Sequence, residues 1–502
     1  MDGKLHAIDI AILAAYCLVV VGMGLYYSRK CRTAEEFMVA GRSIPAWAAG
    51  LAIMSTYTSS ISYIATPGKA YDANWGPLIF ALAIFPVAWL ACRYAVPYYR
   101  RMKLVSVYEF LEERIGAWGR VYAALSFLLY IVGRTAVILY LVSLLLSQFL
   151  DWRIETIIII IGLVTILYTL LGGMEAVIWT DVIQSVIMIG GLLFCVASLS
   201  WRILSGPEPR IGAAIDAHKF SLGSWDLSLS SQTVWVMIIY GVTENLRNLM
   251  ADQNFVQKYS SVPTERQARR SIWIAMLIYI PMTAVFLYIG TALFAFYSGG
   301  AAGGAVTKGD EAFPYFIATR LPVGLKGLIL AAVMAAAMST IDSGLNCSAT
   351  VLLVDFYRRY VNPQVSDKAS LWCLRFTTVV WGLLGTGFAI LMIRQKSALD
   401  KWWQISGIFG GGILGLFLLS LLGVRLRLWQ GLTAICVSVA VISWGTFARN
   451  LTAAWKWAEP PFDPILVGVV GTAALMTVAL FLSWSNRFAP AGAGRASGRE
   501  DA

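Results

Sequence analysis

Long apolar runs recur along the whole chain, and they constrain its fold more than any other feature. Each run approaches the ~20 residues that an α-helix needs to cross a bilayer, and segments 5–27, 155–172 and 462–485 are clear cases. Hydrophobic residues make up 58% of the 502 residues, whereas charged residues make up 13%, about half their share in a typical soluble domain. The sequence therefore predicts an all-α polytopic membrane protein.

The placement of basic residues sets the predicted topology. Lys and Arg cluster in short loops such as 28–32, 93–103 and 265–270, and loops of this kind stay on the inner side of a membrane. With the N-terminus outside, thirteen spans place every strongly basic loop inside. The predicted spans are 5–27, 45–66, 74–98, 119–148, 155–172, 174–203, 233–257, 271–297, 325–355, 369–394, 398–424, 429–450 and 462–485.

Charge, cysteine and motif content argue against several classes of function. The net charge of +11 is explained by membrane topology and not by nucleic-acid binding. Seven cysteines show no metal-binding spacing and mostly lie in apolar runs, which is typical of buried small residues. No loop is large enough for a soluble catalytic domain, and no nucleotide-binding, zinc-protease or nucleophile-elbow motif occurs. The sequence predicts that the chain is not an enzyme.

Ten central spans divide into two sets of five. Because five is odd, the two sets have opposite orientations, as in an inverted repeat. The long outer loops 204–232 and 298–324 could each hold a short helix. The expected units are an extra N-terminal helix, two repeats, two C-terminal helices and a disordered inner tail, at 1–28, 45–203, 233–424, 429–485 and 486–502.

A hydroxyl-rich stretch interrupts the second span. Seven of the nine residues from Met54 to Ser62 carry a hydroxyl, and Pro67-Gly68 follow. Ser and Thr hydroxyls bond to the backbone one turn back and weaken a helix, so this helix is predicted to break. A broken helix exposes carbonyls, and carbonyl and hydroxyl oxygens suit a small cation. The alternative is that the hydroxyls only join neighbouring helices.

A second polar cluster lies in segment 331–350. Its small and hydroxyl residues recur at helical spacing and share one helix face, namely Ala336, Ser339, Thr340 and Ser343. Asp342 lies on the adjoining face, and a carboxylate at mid-membrane is expected to be functional. It could instead pair with Arg247, although Arg247 and Glu244 are also spaced to neutralise each other.

Three more polar positions fall within predicted spans. Asp181 lies a little under two turns into its span and could join the hydroxyl face in a cation site. Arg134 is alone in an apolar span and needs an anionic partner. That partner could be Asp181, Glu244 or Asp342, or the carboxylate of a substrate. Asn245 could face the central cavity.

Together these segments resemble the sodium:solute symporter family. The similarity covers nearly the whole chain and rests on the ordered segments "SSISYIATPGKAYDANW", "GGMEAVIWTDVIQ", "DQNFVQKY" and "STIDSGLNCSATVLLVDFY". The family implies a LeuT-like 5+5 inverted repeat with one extra N-terminal and two extra C-terminal helices, thirteen in all. It also implies alternating access.

For cofactors, the resemblance implies one or two sodium ions. The implied ligands of the principal site are the carbonyls of Ser55, Thr58 and Ala336 and the hydroxyls of Ser339 and Thr340. Those of the second site, present in some branches, are Asp181, Ser339, Asp342 and Ser343. Asp342 departs from the family, where a hydroxyl or small residue is usual. It could strengthen the second site or carry a proton.

The branch of bacterial sialic acid symporters resembles the chain most. "WAAGLAIMSTYTSSIS" and "LSFLLYIVGRTAVILYL" are similar to two of its helices. This similarity implies that Arg134 holds the carboxylate of the substrate and that Tyr57, Ser59 and Ser62 face the substrate. Two departures argue against assuming sialic acid, since Tyr57 replaces a smaller Thr and Ala81 replaces a glutamine.

The sequence thus predicts a sodium symporter that imports a small organic solute bearing a carboxylate, such as sialic acid or another sugar or organic acid. Its expected location is a bacterial inner membrane, with the C-terminus cytoplasmic. Expected partners are the solute, sodium and the lipid bilayer, with no nucleic acid and no obligate protein partner. Three alternatives stay open: a neutral sugar or zwitterion such as proline, proton coupling through Asp342, and a solute-sensing receptor.

Overall fold

The chain folds as an all-helical bundle. Its computed structural model describes residues 5–102, 104–150, 152–205, 211–298, 306, 308–393, 398–424, 426–448 and 459–485, without the side chains of 398–408 and 485. The α-helices of these ranges are α1 (Ala7–Ser28), α2 (Ala34–Val39), α3 (Ala46–Tyr57), α4 (Ser60–Asp72), α5 (Gly76–Leu82), α6 (Ile84–Leu90), α7 (Val96–Met102), α8 (Glu109–Arg114), α9 (Ala117–Ser147), α10 (Ile154–Leu204), α11 (Ile211–Asp216), α12 (Val234–Ala251), α13 (Gln253–Ser260), α14 (Glu265–Phe296), α15 (Gly309–Arg320), α16 (Leu325–Val351), α17 (Asp367–Met392), α18 (Ala398–Leu421), α19 (Leu428–Phe447) and α20 (Val467–Ser485).

Helices lie in every predicted span, as far as its residues are described. Among the described residues, nine helices are long and apolar enough to cross a membrane, or ten if the bent pair Ala34–Arg42 and Ala46–Tyr57 forms one span. The predicted count of thirteen is therefore not reached by this measure. Helices α11 and α15 lie in the two loops where short helices were expected. The tail 486–502 lies outside the described residues.

The second predicted span is broken, as its hydroxyl content predicts. Helix α3 ends at Tyr57 and α4 begins at Ser60, and the two residues between them are extended. Thr58 has φ −101° and ψ 105°, and Ser59 has φ −109° and ψ 176°. Pro67 does not mark the break, because it lies inside α4.

A matching break separates α12 from α13. Asp252 lies between the two helices with φ −100° and ψ 122°. Its carboxylate accepts a hydrogen bond from the Asn254 backbone N–H at 2.9 Å and so caps α13. The first helix of each predicted repeat is therefore interrupted, and all eight residues of α13 are buried.

Helix α16 lies at the centre of the bundle. It packs against α1, α3, α9, α10 and α17, and every residue from Ile329 to Val351 is buried. Its Ala, Ser and Gly residues allow the backbones of neighbouring helices to approach closely. This packing brings the hydroxyl face of α16 against the break after α3.

Gly173 divides the 51-residue helix α10 where two predicted spans meet. It adopts φ 57° and ψ −153°, a region that is open essentially to glycine alone. A Cβ atom there would lie 2.8 Å from the Phe37 Cα. The bend therefore requires glycine for both its conformation and its packing.

We expect Gly173→Ala to destabilise the fold by roughly 1–3 kcal/mol, the cost of a strained backbone conformation. Gly190→Ala in the same helix is the matched control, because a Cβ there meets nothing within 4 Å. The control should be neutral or slightly stabilising. Unfolding temperatures of the purified variants in detergent measure both effects, and equal temperatures for the two would contradict this account of the bend.

Candidate functional site

The break after α3 lies against the hydroxyl face of α16. The Ser339 Oγ lies 3.5 Å from the Ser55 carbonyl oxygen and 3.2 Å from the Ala336 carbonyl oxygen. The Thr340 Oγ1 lies 3.2 Å from that same Ala336 oxygen. At the end of α3 the Thr58 backbone N–H donates to the Ser55 carbonyl at 3.1 Å. The residues expected at the principal sodium site thus meet at one junction.

This junction fits a small monovalent cation. Its carbonyl and hydroxyl groups are neutral oxygen ligands, and backbone carbonyls freed at a break in a membrane helix can coordinate sodium. Both helices contribute, so an ion here would contact the end of α3 and the middle of α16 at once. The five residues are all buried, which keeps water from competing for the ion.

Asp181 forms a buried ion pair with Lys258, a residue that the sequence patterns do not single out. The Lys258 Nζ on α13 lies 2.7 Å from the Asp181 Oδ2, and neither side chain is exposed. The same ammonium donates to the Ala52 carbonyl at 3.0 Å and to the Thr56 Oγ1 at 2.5 Å. The sequence does contain a hint of this pairing. Lys258 lies in the segment "DQNFVQKY", and a carboxylate at mid-membrane requires a cation.

Asp342 pairs with neither Lys258 nor Arg247. Its Oδ2 accepts a hydrogen bond from the Tyr168 hydroxyl at 2.6 Å, and its Oδ1 accepts one from the Ser343 backbone N–H at 2.5 Å. The Ser343 hydroxyl donates to the Ser339 carbonyl at 2.7 Å. Of the residues expected at a second sodium site, only these neighbours on α16 contact one another, and Asp181 points to Lys258 instead.

The alternative pairing of Arg247 with Asp342 is wrong. Arg247 forms ion pairs with Glu244 and with Asp252, whose Oδ2 lies 3.2 Å from the Arg247 Nη1. Its guanidinium also lies over the Tyr130 ring, 5.0 Å from the centroid. The expected neutralisation of Glu244 by Arg247 is confirmed.

Arg134 faces a central cavity of about 190 Å³. Its Nη2 donates to the Thr56 carbonyl at 3.2 Å, one residue before α3 ends. Within the described ranges no carboxylate forms an ion pair with Arg134. The acids that could have served are engaged elsewhere, since Asp181 pairs with Lys258 and Glu244 pairs with Arg247.

The cavity also contains the expected substrate-facing residues of the helix break. Tyr57, Ser59 and Ser62 all line it. The Tyr57 ring packs against the rings of Phe255 and Tyr279, with centroids 4.5 and 5.0 Å away. The three rings all line the cavity and form an aromatic wall on one part of it.

A larger cavity of about 590 Å³ adjoins the central one and shares Tyr57 and Ser62 with it. Its far end is lined by charged residues outside the long apolar helices, among them Asp72 and Asp310. Burial, together with the nearby Asp72 carboxylate, raises the pKa of Asp310. The two adjoining cavities thus extend from Arg134 towards α15.

Asn245 does not line the cavity. Its amide is buried and donates to the carbonyls of Phe80 at 3.2 Å and Gly241 at 2.8 Å, which joins α12 to α5. Glu244 and Asn248 line the cavity instead. Helix α12 is therefore rotated relative to the expectation, so that Glu244 and Asn248 face the cavity and Asn245 does not.

A helical membrane bundle with two interrupted helices at its centre and a polar cavity beside them has the architecture of a secondary transporter. The chain belongs to the sodium:solute symporter family, which it matches over residues 37–431.

Relatives of known activity span nearly the whole chain. The sodium/sialic acid symporter SiaT of Proteus mirabilis (strain HI4320) is 30% identical over 485 residues, 95% of this chain and 97% of that protein. A sodium-coupled monocarboxylate transporter 2 of Danio rerio is 27% identical, over 88% of this chain and 72% of its own. The solved substrate-bound, outward-open structure of a Na⁺-coupled sialic acid symporter superposes with a TM-score of 0.87 at 28% identity, over 96% of this chain and 98% of that one.

We expect Lys258→Met and Asp181→Asn each to lower the free energy of unfolding by about 3–5 kcal/mol, because each leaves a buried charge without its partner. The double variant should lose clearly less than the sum of the two, since both charges are then removed. Equilibrium unfolding in mixed detergent of the unaltered chain, the two single variants and the double variant gives the double-mutant cycle. Additive losses would show that the two side chains do not interact.

Proposed function

We propose that the chain imports a small organic solute bearing a carboxylate, together with sodium, by alternating access. The observation that carries this proposal is Arg134, a cation in the cavity whose protein partner is a backbone carbonyl and not an acid. A guanidinium in a low-dielectric site is stabilised by an anion, and its planar fork matches a carboxylate.

The relatives support an organic acid as the solute. SiaT is a sialic acid symporter and the Danio rerio protein is a monocarboxylate transporter by name, and both kinds of solute carry a carboxylate. Tyr57 occupies space in the cavity beside Ser59 and Ser62, so the solute that fits best need not be sialic acid. A neutral solute is the weaker candidate, because it would leave Arg134 without an anion.

The proposed ion site is the junction of α3 with α16. Sodium there would be held by the carbonyls of Ser55, Thr58 and Ala336 and the hydroxyls of Ser339 and Thr340. The break that exposes these carbonyls also positions Thr56, whose carbonyl accepts the hydrogen bond from Arg134. Solute and ion would therefore bind on opposite sides of one short extended segment, which couples their binding.

The wider architecture is part of the proposal. Interrupted helices at α3–α4 and α12–α13 occupy corresponding positions in the two sets of five spans, which supports a 5+5 inverted repeat. The repeats would cover 45–203 and 233–424, within a chain of thirteen spans. The bacterial relative supports an inner-membrane location. The basic loops support an N-terminus outside and a cytoplasmic C-terminus.

Arg134→Ala should weaken binding of the preferred acid roughly 10- to 150-fold, the loss expected when a charged hydrogen bond is removed. Arg134→Lys keeps the charge but not the fork, so we expect an intermediate loss. Thermal-shift titrations of the purified chain in NaCl, against sialic acids, sugar acids, short monocarboxylates, amino acids and neutral sugars, measure these affinities.

Arg153→Ala is the control for this screen, because the Arg153 side chain is 82% exposed and lies at the start of α10. It should bind the acid as the unaltered chain does. A neutral sugar that stabilises the chain best, with equal affinity in the Arg134→Ala variant, would overturn the proposed carboxylate site.

Thr340→Ala should weaken apparent sodium affinity by about 3- to 10-fold, since it removes one neutral oxygen ligand. Ser55→Ala is the matched control, because Ser55 is expected to act through its carbonyl while its hydroxyl bonds to the Ala52 carbonyl at 2.9 Å. Sodium titrations of thermal stability, with choline keeping ionic strength constant, compare the two. A greater loss in the Ser55 variant would contradict the assigned ligands.

A further inference from the structure

We propose that the Lys258 ammonium takes the place of a second sodium ion in this chain, so that one sodium ion binds per molecule. The inference rests on the proposed function and deepens it by fixing how many ions the site takes. Three observations carry it, and each concerns a different part of the expected second site.

The acidic ligand of that site already has a cation. The Asp181 carboxylate lies 2.7 Å from the Lys258 Nζ, and both side chains are fully buried. A sodium ion that used this carboxylate would be brought next to the ammonium, and like charges that lie close together in a low-dielectric interior repel strongly. Lys258 therefore supplies the positive charge that Asp181 requires and makes a second cation beside it unfavourable.

Among the described residues, none of the remaining ligands forms a hydrogen bond with Asp181, whose Oδ1 has no hydrogen-bond partner, although the Ser343 hydroxyl lies 3.2 Å from the Asp342 Oδ1. The Ser339 hydroxyl faces the principal site, where it meets the Ser55 and Ala336 carbonyls. The Asp342 carboxylate is held by the Tyr168 hydroxyl at 2.6 Å. The Ser343 hydroxyl donates to a backbone carbonyl of its own helix at 2.7 Å. The residues present thus fit the principal sodium site and do not fit a second one.

The ammonium is also held as an ion would be. Besides Asp181, it contacts the Ala52 carbonyl at 3.0 Å and the Thr56 hydroxyl at 2.5 Å, both on the last turns of α3. A carboxylate, a carbonyl and a hydroxyl therefore surround the nitrogen, and they link α13, α10 and α3. A tethered cation makes this link permanently, whereas a sodium ion would make it only while bound.

The test counts sodium ions on the purified chain. Binding of ²²Na⁺ at saturation, measured by scintillation proximity on protein of known active fraction, should give one ion per chain. Two ions per chain would overturn the inference and leave the sodium symporter intact. No bound sodium would overturn the proposed function itself, so the two failures are distinguishable.

Variants of Lys258 test the cause. In Lys258→Met the count should rise from one toward two, and in Lys258→Arg, which keeps a cation, it should stay at one. Lys326→Met is the control, because Lys326 donates to the Ala318 carbonyl on the short helix α15. A count of one in folded Lys258→Met protein would contradict the assignment. If this variant does not fold, the count on the unaltered chain decides.

Discussion

The interruption of a membrane helix between Tyr57 and Ser60 is the constraint on which the rest of the structure depends. A helix that ends inside a bilayer leaves carbonyls without partners, and other groups in the protein must satisfy them. Here the Ser55 carbonyl meets Ser339 on α16, and the Thr56 carbonyl meets Arg134 on α9. One break therefore links three helices, α3, α9 and α16, beside the central cavity.

The ion pair of Asp181 and Lys258 stabilises the same region from the opposite face. Two opposite charges removed from water are tolerated only when they contact each other and their remaining hydrogen bonds are satisfied. Lys258 meets that condition through Ala52 and Thr56, in the helix that ends at the break, whereas the Asp181 Oδ1 has no hydrogen-bond partner among the described residues. The end of α3 thus contacts two cationic side chains, Lys258 and Arg134.

Features that depend on local chemistry could be predicted from the sequence. The long apolar helices follow from apolar length, the break at Thr58 follows from clustered hydroxyls, and the neutralisation of Glu244 by Arg247 follows from helical spacing. The hydroxyl face of α16 also meets the end of α3 at the break, as the contact of Ser339 with Ser55 shows.

Features that depend on helix rotation and long-range pairing could not be predicted in this way. Asn245 faces α5 and not the cavity, because the sequence does not determine how α12 is rotated. The partner of Asp181 was missed because Lys258 lies 77 residues away along the chain, and charge alone does not tell which of several buried cations a carboxylate will meet. The hydrogen-bond partner of Asp342 could not be predicted either, because Tyr168 lies 174 residues away along the chain, in the part of α10 that precedes Gly173.

The central claim is that sodium entry drives uptake of an organic acid. Its most direct test is uptake of the acid that best stabilises the purified chain, into proteoliposomes with an imposed inward sodium gradient or an imposed inward proton gradient. We expect accumulation that requires the sodium gradient and that collapses when the sodium concentration is equal on both sides. Uptake that ignores the sodium gradient and follows the proton gradient would contradict it.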